Sequence, residues 1–159
     1  MNINFSRSII LFSIFLCLNS NLFAQSSLSV LSTEEIGSLN CSYLKSSNTA
    51  NNTVEYTIQL VYKNQKYIYK QECDTIILHN ITSCKQLVND LKACLLVIDD
   101  ENKDIFISNQ MYTIEKNKGY MDNKNVVFLN KEKNINCPVN KYFVNQLVEW
   151  LNSIDFGKG

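Results

Sequence analysis

The chain has 159 residues, with 15 basic and 15 acidic side chains, a formal net charge of zero and 45% hydrophobic residues. Its one arginine, Arg7, sits at the extreme N-terminus, and arginine is the side chain that forks onto phosphates and base edges. A neutral chain whose body lacks that fork excludes nucleic acid as an expected partner, and its length fits one domain with a modest core.

Residues 1–24 read as a secretory leader. MNINFSR carries one cation, IILFSIFLCL (Ile9 to Leu18) is apolar apart from Ser13 and Cys17, and the short polar run NSNLFA ends at Ala24. This is the charged, apolar and small-residue layout of a signal peptide. The ten-residue apolar run, if helical, reaches only about 15 Å, half a bilayer core. No transmembrane anchor is therefore expected, and no later apolar run is long enough to supply one. Cys17 lacks the small residue that a lipoprotein leader needs just before its cysteine. The expected product is a soluble exported protein, secreted or periplasmic.

Residues 25–53 read as a short helix and a polar linker. Ser32 and Glu35 have the spacing of a capping box, Ile36, Leu39 and Tyr43 share a helical face, and Lys45 to Asn52 has no periodicity. Residues 54–159 then form a single α+β domain. VEYTIQLVY alternates strictly, with Val54, Tyr56, Ile58, Leu60 and Tyr62 on one face, as a half-buried strand does. KNQK turns the chain into a second strand at 66–70, and a third short strand covers 75–78. ITSCKQLVNDLKACLLVID is the strongest helix: Ser83 and Gln86 form a capping box, and Cys84, Leu87, Val88, Leu91, Cys94, Leu95 and Ile98 make an apolar stripe. Asp100, Asn102 and Asp104 imitate the start of a calcium loop, but Ile105 and Met111 stand where the loop needs glycine and glutamate. With Asp99 and Glu101 these acids read as a solvated turn, with no apolar surroundings to tune them for proton transfer. Strands follow at 104–107, 111–115 and 125–129. Pro138 suits the first turn of a last helix, whose stripe is Val139, Phe143, Leu147, Val148, Leu151 and Ile154. Trp150 flanks that stripe and is expected in the core.

QLVNDL at Gln86 and QLVEWL at Gln146 echo each other, as do two YTI strings at Tyr56 and Tyr112. Each helix follows three strands. The expected architecture is an antiparallel sheet of about six short strands with two main helices on one face. A tandem βββα duplication, with half-repeats 54–99 and 104–156, would account for the echoes.

Five cysteines follow the leader: Cys41, Cys73, Cys84, Cys94 and Cys137. Export implies an oxidising compartment, so all five are disulfide candidates, and an odd number leaves one thiol over. Cys84 and Cys94 lie too far apart along one helix to bond, whereas Cys73 and Cys84 flank a short strand and could meet. Cys73, His79 and Cys84 lack the tight pair of a zinc site, and His79 reads as a strand-end residue. No metal and no cofactor is expected. Asn40, Asn51 and Asn80 open glycosylation sequons.

The expected function is a non-catalytic binding or inhibitor-type protein of the cell envelope or extracellular space. Its partner would be another protein or an envelope component, and Tyr67, Tyr69, Lys66 and Lys70 offer a contact surface. Two alternatives use the cysteines: a thiol-dependent enzyme or redox protein built on the unpaired one, and a disulfide-linked or edge-paired structural subunit, such as a homodimer.

Overall fold

A computed structural model describes residues 26–64, 71–118, 124–130 and 135–156. The leader (1–24) and the contact surface of Lys66, Tyr67, Tyr69 and Lys70 lie outside these residues. The chain is α+β, in the order β1 (Ser26–Ile36), β2 (Leu39–Asn48), β3 (Thr53–Asn64), β4 (Gln71–Leu78), α1 (Ile81–Val97), β5 (Phe106–Ser108), β6 (Thr113–Lys118), β7 (Lys124–Asn130), β8 (Ile135–Asn140) and α2 (Lys141–Ser153). The strands form two four-stranded antiparallel meanders, β1-β2-β3-β4 and β5-β6-β7-β8.

Cross-strand rows explain which faces are buried. In the first sheet Cys41 opposes Leu60, which opposes Ile76, and Tyr43 opposes Ile58, which opposes Leu78. In the second, Ile114, Phe128 and Cys137 form one row, and Val126 opposes Val139 in the next. All eleven side chains in these rows are buried. Same-face rows of this kind are the unit that stabilises a sheet. The helices pack on one another, α1 touching β4 and β7 and α2 touching β1, β7 and β8, while β4 approaches β8. The buried side chains of both halves form a single apolar cluster.

The sheets depart from the sequence reading in three places. Among the described residues there are eight strands rather than six, and each helix follows four strands rather than three; the expected strand at 66–70 lies outside the described residues. The expected helix across 32–43 is instead the β1–β2 hairpin. Gly37, at φ +60°, opens a two-residue turn of the kind that twists with its strands, so Leu39, Cys41 and Tyr43 fall on one strand face at a period of two. The segment 45–52, read as linker, continues β2 to Asn48 and then turns, with the Asn48 side chain accepting from Ala50 N at 3.0 Å. Pro138 lies in β8, not in α2. β8 is an end strand of its sheet, where a residue without an N–H is tolerated.

The helix stripes hold with small shifts. Cys84, Leu87, Val88, Leu91, Cys94 and Ile98 are buried, as are Leu147, Val148, Leu151 and Trp150, joined by Val144. The first cap is Asn80 rather than Ser83: its side chain accepts from Ser83 N at 2.8 Å, and the Ser83 hydroxyl accepts from Asn80 N at 3.3 Å. Asn140 caps α2, accepting from Tyr142 N at 2.9 Å. Asparagine leads at this position because its short carbonyl reaches the free N–H groups of the first turn. The two caps share the sixty-residue offset of the QLV strings. The YTI echo does not extend the repeat: Tyr56 lies in β3, the third strand of its half, while Thr113 opens β6, the second of its own.

The β1–β2 turn lies against α2. A Cβ on Gly37 would sit 2.7 Å from Cδ2 and 2.9 Å from Cγ of Phe143. Gly37→Ala combines that overlap with a left-handed backbone, and the expected loss is roughly 1–3 kcal/mol. Thermal and denaturant unfolding measure it. In Gly37→Ala/Phe143→Ala the two losses are expected to sum to less than their separate values, because the overlap disappears while the backbone strain stays.

Candidate functional site

The β3 strand enters its ladder at one end of the first sheet, where Thr53 pairs with Asn48. There Val54, Glu55, Tyr56 and Thr57, the β4–α1 junction His79–Asn80–Ile81, and Phe156 line a groove of about 460 Å³. That size falls within the range of ligand and side-chain pockets. Its aromatic wall is braced by ring contacts and one hydrogen bond. Tyr56 stacks on Tyr43 with centroids 5.9 Å apart, and Phe156 tilts against Tyr43 at 5.4 Å. The Tyr43 hydroxyl donates to the Asp155 carbonyl at 3.3 Å, which fixes the C-terminal segment against the sheet. Lys45 holds its ammonium 5.8 Å from the Tyr56 ring centre, within range of a cation–π contact. Val54 and Ile81 are 50% and 40% exposed at the rim.

Apolar rim, aromatic wall and a few polar groups suit non-covalent binding. Neither Cys84 nor any other described cysteine lines the groove. Alternation in VEYTIQLVY placed Tyr56 on the apolar face, and His79 was legible as a strand-end residue. What the sequence did not show is that Phe156, a hundred residues further on, closes the same groove. Only the helix geometry brings it there.

The disulfide expectation is corrected. Cys41, Cys84 and Cys94 are buried free thiols, and no disulfide joins described residues. A Cys73–Cys84 bond is therefore not formed; Cys73 falls on β4, and Cys84 faces α2, where its thiol donates to the Leu151 carbonyl at 3.8 Å. Cys137 is buried within its sheet row. These residues pack as small core hydrophobes. Burial pushes the Cys41 thiol up to about 12, with the Glu34 charge adding to it. Burial likewise raises Cys84 to about 11, against the opposing charge of Lys85, and raises Cys94 to about 11 with help from Asp90.

The acidic turn after α1 is a structural clasp. Asp99 accepts from Lys124 at 2.7 Å on one oxygen and from Lys141 on the other, joining the end of α1 to β7 and α2. These two hydrogen-bonded lysines hold its carboxyl down near 2. Asp100 is also lowered, first by the Asn102 backbone N–H and then by Lys103. In the same turn that carries Asp100, Asn102 and Asp104, Lys116 donates to the Asp100 backbone carbonyl and, at 2.7 Å, to that of Lys103. Among the described residues no cluster of three or more His, Cys, Asp or Glu is placed to hold a metal. Asp90, by contrast, is buried; it accepts from the Tyr112 hydroxyl at 2.8 Å and from Gln86 Nε2 at 3.0 Å, tying α1 to the start of β6. Burial and that hydrogen bond push the Tyr112 hydroxyl well above its ordinary value.

No protein family, curated protein or solved structure matches the chain.

At pH 8 about a thousandth or less of each raised thiol is thiolate, the reactive form. Alkylation of the folded protein is expected to leave Cys41, Cys84 and Cys94 unmodified, and denaturation to expose all three, as peptide mass mapping reads. The clasp sets an acid dependence. A carboxyl whose folded value is depressed stabilises above its unfolded value near 4 and loses that contribution as pH falls toward 2. Melting temperature is expected to fall between pH 4 and pH 2 less steeply in Asp99→Asn than in the wild type.

Proposed function

We propose that the chain is an exported, non-catalytic binding or inhibitor-type protein of the cell envelope or extracellular space. In this reading the groove at Tyr56, His79 and Phe156 receives part of a protein partner or envelope component. The observation that carries it is the groove itself: a preformed aromatic wall, braced by Tyr43 and Lys45, with apolar Val54 and Ile81 exposed beside it. Rigid aromatic surface with an apolar rim is the material from which protein contacts are made, because it is ordered before the partner arrives. The leader at residues 1–24 supports export. The balanced charge and the absence of arginine after residue 7 favour a protein or envelope partner over nucleic acid.

A thiol enzyme or redox protein would need an exposed, readily ionised cysteine. Cys41, Cys84 and Cys94 are buried with raised values, which weighs against a nucleophile at any of these three. A disulfide-linked subunit would meet the same burial at these positions.

Protein recovered from the medium or periplasm of its host is expected to begin at Gln25 on N-terminal sequencing; retention of residues 1–24 in the cytoplasm would reject export. For the groove, immobilised wild type and Val54→Asp/Ile81→Asp are exposed to the host's envelope and medium proteins. The expected result is a partner held by the wild type and lost by the variant, with both baits equally folded by circular dichroism. Equal capture by both would move binding away from the groove.

A further inference from the structure

β1 is the end strand of the first sheet, and among the described residues it is laddered on one side only, to β2. A bare strand edge presents N–H and C=O groups ready to pair, and proteins usually blunt it with charge, proline, a bulge or cover. Here Ser26 to Thr33 carries neither charge nor proline, and every residue from Ser26 to Glu35 is exposed; a register shift between Val30 and Ser32 leaves Ser26 to Val30 as the regular part of the edge. Leu28 and Val30 are 67% and 60% exposed. They oppose Ser46 and Leu44 of β2, so both stand on the sheet face away from the helices, beside buried Leu44.

We infer that a second copy of this chain pairs with β1, antiparallel, about a two-fold axis at Ser29, joining two first sheets into one. The symmetry is the argument. A two-fold interface is self-complementary, and with the axis at Ser29 Leu28 of one copy opposes Val30 of the other, twice over. Apolar cross-strand pairs of this type stabilise a ladder. A register slipped by two residues either way pairs one apolar residue with its own copy and sets the other against a serine, Ser26 or Ser32. The Ser29 axis also leaves Glu34 and Glu35 beyond the first residue of the second copy's strand, so no like charges oppose. A net charge close to zero, with or without Arg7, adds little long-range repulsion between copies. A charged partner of different sequence would find nothing on this strip to read.

The test uses the full chain as recovered from its host, in sedimentation velocity over a wide concentration range. Wild type is expected to dimerise. Leu28→Lys and Val30→Glu are each expected to weaken the dimer about tenfold or more, a difference of about 1.4 kcal/mol. Mixing the two is expected to restore a heterodimer, because the introduced lysine meets the introduced glutamate while Leu28 and Val30 remain opposed at the other pair. A monomeric wild type, variants that dimerise as wild type does, or a mixture that stays monomeric would each overturn the proposal. If either variant fails to fold by circular dichroism, Ser29→Cys replaces the pair. Residues opposed in an antiparallel ladder have Cα atoms about 4.5–5.5 Å apart, within disulfide reach. Mild oxidation is expected to give a covalent dimer, and its absence would reject the axis.

Discussion

The contact between α1 and α2 is the constraint on which the molecule depends. Each sheet has one apolar face and only one helix of its own, too little to cover it. The helices solve this by packing on each other and reaching across, so that α1 touches strands of both sheets and α2 does the same. Leu87, Leu91, Val144 and Leu147 are fully buried at this centre, and burying a leucine is worth roughly 1.5–3 kcal/mol. Losing either helix would open both sheets to water. The two halves are therefore two lists of elements sharing one core, not two modules laid side by side.

Polar groups adjust this arrangement without carrying it. The Asp99 clasp is exposed and screened by solvent, so its part is to fix the start of α2 relative to the end of α1. Asp90 is different: it is buried and satisfied by Tyr112 and Gln86, and a buried carboxylate that lost such donors would be costly. It pins the short β5–β6 hairpin to α1.

The sequence made the helices legible because seven apolar positions at three- and four-residue steps leave little choice of face. It made β3 legible because alternation ran for nine residues without a break. The β1–β2 hairpin was misread because Ser32, Glu35, Ile36 and Leu39 satisfy helical spacing as well as strand spacing. Gly37 breaks the tie, since a left-handed residue two places before an alternating LNCSY run makes a turn the better solution. The caps were missed for a related reason: serine and asparagine compete for the same role, and Asn80 wins by standing where the chain is still extended. The groove was half legible. Tyr56 and His79 stood out, but Phe156 joins them only through tertiary packing that no local pattern encodes.

The Tyr43–Asp155 hydrogen bond and the Tyr43–Phe156 contact join residues more than a hundred positions apart. This has a consequence for the order in which the molecule can be completed. A chain that emerges N-terminus first, from a ribosome or through a translocation channel, can form the β1–β2–β3 meander early, since its partners are close in sequence. The interior face of that meander is covered only in part until α2 and the Asp155–Phe156 segment have appeared. The segment after α2 is thus among the last to close over the first sheet.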